Sequence, residues 1–393
     1  MTQNYKYLIV GGGMTADAAV KGIRDVDTVG SIGLISAEPD APYNRPILSK
    51  GLWKGKPVDK IWRGTAERGA DLYNGREVTA IDPSHKQVAL STGDTIAYEK
   101  LLLATGGSPR RLPFGGENII YFRTFRDYQH LRELADTRQR FAVIGGGFIG
   151  SEIAAALSMV GKEVVMLFPE ESIGSRIFPP DLSGFVADTY RQKGVEVRPG
   201  ETVEGFELRG VQAVLKTKGG EEIITDGVVA GIGLVPGTGL AEAAGLKVDN
   251  GIVVDETLRT TNPDIYAAGD VANFYNPALG KRMRVEHEDN ANTMGEAAGR
   301  AMAGEAAPYH HLPMFYSDMF ELGYEAVGEL DARLETVVDW IEPYQKGTIY
   351  YLDAGRVRGV LLWNVWGQVD NARKLIAEPG PFKAEDLKQR ITA

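Results

Sequence analysis

The sequence predicts an α/β protein in which a parallel βαβ fold occurs twice and is followed by a smaller α+β region. Three observations carry this. Residues 5–20, YKYLIVGGGMTADAAV, and residues 140–156, RFAVIGGGFIGSEIAAA, both run from a short apolar stretch through three glycines into a helical pattern. Each is followed by a second apolar run, SIGLIS at 31–36 and EVVMLF at 163–168. A strand buried on both faces reads as a continuous apolar run, so both pieces open a parallel unit. From about residue 306 the pattern changes to alternating strand-like pieces such as TVVDWI and GTIYYLDAGRVRGVLLWNVW, closed by a charged helix.

The remaining elements follow in order. Residues 78–107 show alternation and turn chemistry (Asp-Pro, Thr-Gly-Asp) and end in an apolar strand, and a comparable β-rich stretch spans 196–233. IYAAGD at 265–270 reads as a buried strand ending in a turn, and a helix is predicted over roughly 287–304.

Composition narrows the chemistry. A chain of 393 residues has room for two or three domains, and 43% hydrophobic with 24% charged residues is ordinary for a soluble globular protein. A net charge of −10 argues against nucleic acid as a partner. No apolar stretch is long enough for a membrane span, and the N-terminus reads as a strand rather than a signal peptide. The chain has no cysteine, which fits the cytoplasm and removes redox disulfides and thiolate metal sites. No metal is expected, so any redox chemistry must rest on a bound organic cofactor.

The first motif is Gly11-x-Gly13-x-x-Ala16, spanning Met14 and Thr15. In this pattern the first glycine makes a tight turn, the second admits a pyrophosphate, and the third small residue lets helix pack on strand. Glu38, just past the second strand, is placed to bind a ribose diol. The second motif is Gly145-x-Gly147-x-x-Gly150, spanning Phe148 and Ile149, with Glu170 in the corresponding place. A carboxylate there repels a 2′-phosphate and favours NADH over NADPH, while Arg176, six residues on, works against that preference. A strand ending in Gly-Asp puts Asp270 at a sheet's carboxyl edge, where a cofactor hydroxyl is the better reading than a plain turn.

With these motifs the sequence resembles the two-dinucleotide-fold flavoprotein reductases, in their ferredoxin/rubredoxin reductase branch, and more closely the apoptosis-inducing-factor-like proteins. The residues are PYNRPILSKGLW (42–53), ATGG (104–107), GGGFIGSEIA (145–154), LFPE (167–170), AAGDVANFY (267–275), RVEHEDNA (284–291), MFYSDMFELGYEAVG (314–328) and GVLLWN (359–364). The resemblance implies a glutathione-reductase-like fold of two Rossmann-like domains and a C-terminal α+β domain. The expected domains are 1–112 with 237–305 for FAD, 113–236 for NADH, and 306–393 as an interface domain.

The roles implied by the resemblance are as follows. Arg45 and Lys50 bind FAD, with Lys50 beside the flavin and paired with Glu152. Val78 offers its backbone to the adenine, Arg123 sits near the FAD, and Asp270 bonds the ribityl chain. Glu286 and His287 lie at the flavin's edge, where a helix N-terminus stabilises negative charge. Phe148 stands over the flavin and moves when nicotinamide stacks. Gly233, Glu325 and Asn364 line the nicotinamide site. Five positions depart from the family pattern. The usual acid after the second strand is Ala37, the C-terminal tryptophan is Tyr316, one of two paired histidines is Glu288, and two interface arginines are Val253 and Thr261. The last two put the animal members' dimer in doubt and leave a homodimer open.

Two functions compete. The first is an NADH oxidoreductase that passes electrons to a ferredoxin- or rubredoxin-type carrier. The second is a redox sensor of the apoptosis-inducing-factor type, which forms a long-lived charge-transfer complex with NADH. A membrane quinone reductase is a weaker third, because no membrane-facing amphipathic helix is visible.

Overall fold

The computed structural model describes residues 3–391. The chain clusters into two compact units, Met1–Arg45 with Pro57–Ser108 and Val235–Pro313, and Pro46–Lys56 with Pro109–Leu234 and Met314–Ala393.

The first unit opens with β1 (Gln3–Val10), α1 (Met14–Val26), β2 (Ile32–Ser36), β3 (Ala70–Asn74), β4 (Val78–Asp82), β5 (Gln87–Leu90) and β6 (Thr95–Leu103). These strands form one sheet in the order β3-β2-β1-β6-β5-β4. β1 lies parallel to both β2 and β6, with Val10 opposite Ile35 and Leu103. The carboxyl ends of the three strands therefore share one edge. Ligands bind outside that edge in parallel α/β sheets, and the glycine turn follows β1 there.

The chain continues through β7 (Gly107–Pro109), β8 (Ile119–Ile120), α2 (Phe125–Thr137), β9 (Arg140–Ile144), α3 (Phe148–Met159), β10 (Glu163–Phe168), α4 (Pro180–Gln192) and β11 (Val195–Pro199). An antiparallel trio follows, β12 (Val203–Arg209), β13 (Gln212–Thr217) and β14 (Glu222–Thr225), and then β15 (Gly227–Ala230). The second unit's parallel sheet runs β11-β10-β9-β15-β8. Ile144 stands opposite both Leu167 and Ala230, so this sheet too has one carboxyl edge, from which the second glycine turn leaves.

After β16 (Leu234–Pro236), α5 (Gly239–Ala243) and β17 (Ile252–Val253), the first unit resumes with β18 (Ile265–Ala267), which lies parallel to β6. β19 (Ala272–Asn276), β20 (Lys281–Met283) and α6 (Glu288–Met302) complete it. α6 lies against α1 at glycine contact distance. A Cβ at Gly299 would meet the Ala19 carbonyl at 2.2 Å, and one at Gly295 would meet the Thr15 carbonyl at 2.4 Å. Gly299→Val forces the helices apart and is expected to destabilise by about 3 kcal/mol, as read by chemical denaturation.

The C-terminal region is an antiparallel sheet in the order β21-β22-β25-β24-β23, with β21 (Met314–Met319), β22 (Leu322–Gly328), β23 (Glu335–Glu342), β24 (Lys346–Asp353) and β25 (Arg356–Trp363), backed by α7 (Val369–Ala377) and the short α8 (Ala384–Leu387). Within the second unit this sheet packs on the α3–α4 layer through aromatic edges. Phe178 meets Tyr324 and Trp363 at 5.4 and 5.5 Å, and Tyr190 meets Phe320 at 5.0 Å. Among the described residues, no helix is long and apolar enough to cross a membrane.

Candidate functional site: two glycine cradles and a lysine on a buried glutamate

The two glycine turns have the same geometry. Gly11 and Gly145 take φ of +128° and +116°, a region that a side chain disfavours. A Cβ on either would strike a neighbouring strand's carbonyl, Ala104 O at 2.1 Å or Gly231 O at 2.4 Å. Gly13 and Gly147 are the N-caps of α1 and α3, both extended and neither capped by a side chain. A Cβ on either meets nothing within 4 Å. Each cradle is thus open at a helix N-terminus, where backbone N–H groups and the helix dipole favour a diphosphate. The third position differs. A Cβ at Gly150 would lie 2.0 Å from the Gly145 carbonyl, whereas in the first copy Ala16 fits, fully buried.

The duplication extends to the carboxylates. Glu38 lies two residues past β2 and Glu170 two residues past β10, and each holds an arginine further along the chain. Glu38 accepts from the Arg45 guanidinium and, at 2.7 Å, from the Tyr43 hydroxyl, which in turn accepts from Arg45 Nη1 at 2.9 Å. Burial works against the charge of Arg45, but Glu38, Tyr43 and Asp270 outweigh it and raise its pKa. Asp270 is therefore within electrostatic reach of Arg45 in the same unit. The preceding Gly269 is pressed onto Thr15 of the first cradle, its notional Cβ 2.2 Å from Thr15 Oγ1. Gly11, Gly13, Met14, Thr15, Ala16, Glu38, Arg45 and Asp270 thus belong to one constellation that fits an adenosine diphosphate with its ribose.

Arg284 joins this group to the next. Its Nη1 donates to the Asp270 carbonyl at 3.1 Å and to Glu286 Oε1 at 2.6 Å. His287 is the N-cap of α6, so Glu286 and His287 both sit at that helix N-terminus. Val78 starts β4, is buried, and pairs with Leu90.

In the second unit, Arg176 Nη2 lies 2.5 Å from Glu170 Oε1 while the arginine side chain stays 82% exposed. Phe148 is the first residue of α3 and meets Phe315 edge-on at 5.6 Å, and Ile149 beside it is exposed. The Gly233 carbonyl accepts from Arg110 N–H at 2.9 Å. Glu325 Oε2 accepts from Gly367 N–H at 3.2 Å. The Asn364 carboxamide already serves the main chain, accepting from Gly323 N–H and donating to Gln345 O, both at 2.8 Å. Arg123 leads into the Thr124–Asp127 capping box of α2, and its N–H donates to Asp127 at 3.0 Å.

The second unit also holds a buried charge centre. Lys50 Nζ lies 2.6 Å from Glu152 Oε1, with Glu152 only 4% exposed. Nζ also lies 4.8 Å from the centre of the Tyr316 ring, within cation–π range. Two hydroxyls, from Ser49 and Ser317, complete the carboxylate's shell at 2.6 Å each. Neither serine stands out in the sequence. The alternation of β21 puts Ser317 on the buried face between Phe315 and Met319, which is the signal that could have singled it out. Sequence reading also missed Tyr43 and Asp17. The latter is a buried carboxylate on α1 that carries Arg63 and Arg68. Among the described residues no group of three or more His, Cys, Asp or Glu could hold a metal ion.

Comparison with known proteins bears on the same features. The C-terminal region matches the family model "Apoptosis-inducing factor, mitochondrion-associated, C-term" over residues 298–343 and 339–378. The chain is 34% identical to "Apoptosis-inducing factor 1, mitochondrial" of Dictyostelium discoideum, over 98% of this chain and 80% of that protein. It is 36% identical to the "5,5'-dehydrodivanillate O-demethylase ferredoxin reductase subunit" of a Sphingobium species, over 90% and 89%. Its fold superposes on the reductase in "Crystal structure of the covalent putidaredoxin reductase-putidaredoxin complex" with a TM-score of 0.89 at 32% identity, over 96% of this chain and 94% of that one. The model "Pyridine nucleotide-disulphide oxidoreductase" matches residues 5–295, a span that takes in both glycine cradles and the Lys50–Glu152 pair. Two dinucleotide cradles joined to that match leave one conclusion: the chain belongs to the pyridine nucleotide-disulphide oxidoreductase family, flavoproteins that work with FAD and a pyridine nucleotide.

Proposed function

We propose that this protein is an NADH-dependent flavoprotein reductase that delivers electrons to a ferredoxin-type carrier. The observation that carries this reading is a disulphide-oxidoreductase frame in a chain with no cysteine. Without a redox disulfide the electrons have no protein-borne stop and must leave for an external acceptor. Two relatives support the reading, one named as a ferredoxin reductase subunit and one solved covalently joined to putidaredoxin. FAD, when bound, accepts two electrons from the nicotinamide and passes them on.

The chain's own residues bind and orient. The first cradle, Glu38, Arg45, Asp270 and the main chain at Val78 hold FAD, in a domain of 1–112 and 237–305. The second cradle and Glu170 hold NADH in 113–236. Lys50, Glu152, Arg123, Glu286, His287 and Tyr316 set the electrostatics at the flavin. Phe148 covers the ring, and Gly233, Glu325 and Asn364 receive the nicotinamide, the last two from 306–393. A rubredoxin is a second candidate carrier, a homodimer is compatible, and the cytoplasm is the proposed location.

The test is stopped-flow. The purified protein should carry one FAD per chain, bleach with NADH, and recover its colour on adding a ferredoxin. A protein that holds FAD but is not re-oxidised by any ferredoxin or rubredoxin would sink the carrier reading. NADH should outcompete NADPH at least about tenfold, because a 2′-phosphate would both face Glu170 and displace Arg176 from it. Glu170→Ala frees the exposed Arg176 for that phosphate. KM values for the two coenzymes should then converge, and an unchanged ratio would show that Glu170 does not choose.

The match of residues 298–378 to the apoptosis-inducing-factor C-terminal model favours a second reading, a redox sensor. It predicts a broad long-wavelength band that persists in air after NADH is added. Rapid loss of that band with fast ferredoxin turnover decides for the reductase.

A further inference from the structure

We propose that Ser317 is a positioning residue for Lys50, acting through Glu152, so that the C-terminal sheet sets where the lysine ammonium sits. The inference rests on the reading above that Lys50 acts at the flavin.

The argument starts from the burial of Glu152, whose side chain is 4% exposed. A buried carboxylate must be hydrogen-bonded on both oxygens. Oε2 accepts from Ser49 at 2.6 Å, and Oε1 accepts from both Lys50 Nζ and Ser317 Oγ at 2.6 Å. The terminal torsion of a glutamate is broad, so its donors set the carboxylate plane, and Ser49 and Lys50 are adjacent in one loop. The third donor, Ser317, fixes that plane.

Packing alone does not call for a polar residue at Ser317. It is 1% exposed, between the buried Phe315 and Met319 on the inward face of β21. An apolar residue there would satisfy packing, and a hydroxyl costs stability unless it is bonded. Its partners are Glu152 and the Tyr324 hydroxyl on β22. Burial first, and then the charge of Glu152, push the Tyr324 hydroxyl well above its usual range, so it remains a neutral member of the network.

A lysine ammonium is a point charge on a flexible stem, and it goes where its acceptor is. Ser49 precedes Lys50 in the same loop, so its bond follows that loop's movements. Ser317 comes from another layer and supplies the outside reference. Its neighbour Tyr316 adds a second constraint, the ring face 4.8 Å from Nζ. In a low-dielectric interior the effect of a charge changes steeply over an ångström, so losing the reference should register at the cofactor.

The experiment is a double-mutant cycle on the FAD-loaded protein, reading the flavin midpoint potential and the rate of reduction by NADH. Ser317→Ala is expected to keep its FAD and slow reduction roughly three- to tenfold, with a lower potential. Lys50→Ala is expected to shift both further in the same direction. Ser317→Thr, which keeps the hydroxyl, should return both toward wild type. The double variant should match Lys50→Ala alone, because the serine acts only through the lysine. If Lys50→Ala alters the potential while Ser317→Ala leaves it at wild type, or if the two effects add, the proposal is overturned and the Lys50 reading stands. If Lys50→Ala itself changes neither potential nor rate, the Lys50 reading falls and takes this proposal with it.

Discussion

Gly13→Val should give a folded, colourless protein, while Gly147→Val should stay yellow and fail to react with NADH. Both positions are helix N-caps with nothing within 4 Å of an added Cβ, so a side chain there starts in open space, the space a bound diphosphate would take. Each diphosphate loses close approach to the backbone N–H groups at its helix N-terminus. Charge-assisted hydrogen bonds are worth about 1.5–3 kcal/mol each, so losing two weakens binding at least about 100-fold. Gly11→Val provides the contrast, with its Cβ 2.1 Å from Ala104 O and a φ of +128°. That variant should fail to fold rather than merely lose its cofactor. FAD absorbance, circular dichroism and NADH titration separate the three cases. FAD retained at wild-type affinity by Gly13→Val would show that the first cradle is not where its diphosphate lies.

The two glycine cradles were legible because their geometry is local. The turn, the helix start and the flanking strands lie within some twenty residues, and glycine is the residue type those backbone positions need. EVVMLF was expected as a strand and forms β10, Glu163–Phe168; the helix expected over roughly 287–304 is α6, Glu288–Met302. Contacts across long sequence separations were not legible. Ser317 donates to a carboxylate 165 residues away, and Arg63 to Asp17 at 46. Strand alternation can mark Ser317 as inward-facing, but only the folded sheet shows which charge it serves. The Lys50–Glu152 pair lies between these cases. Family resemblance implied it, whereas composition and spacing alone did not. Asn364 shows the converse, since its carboxamide is engaged by two main-chain groups that no motif announces.

Asp17→Ala should cost the first unit about 3–5 kcal/mol of stability, the range for removing one partner of a buried ion pair. Asp17 sits just past the first cradle on α1, with its side chain 4% exposed. Its carboxylate accepts from Arg63 Nε at 2.7 Å, Arg68 Nη1 at 2.6 Å and Thr65 Oγ1 at 2.6 Å. Arg63 extends the network to Asn44 at 2.7 Å and to Asn292 on α6 at 2.8 Å. Alanine strands two guanidinium groups, but not equally. Arg68 is 37% exposed and can turn to water, whereas Arg63 is 16% exposed and pinned by its two asparagines. Most of the cost therefore falls on Arg63, and Arg63→Met in the alanine background should recover part of it. Asp17→Asn keeps the shape without the charge and should fall between wild type and alanine. Because the network ties α1 to Asn44, next to Arg45, and to residues 63–68, FAD should dissociate earlier in the unfolding of the alanine variant than in wild type. Urea denaturation followed by both flavin fluorescence and circular dichroism measures this directly. A loss below about 1 kcal/mol, the worth of an exposed ion pair, would show that the network is dispensable.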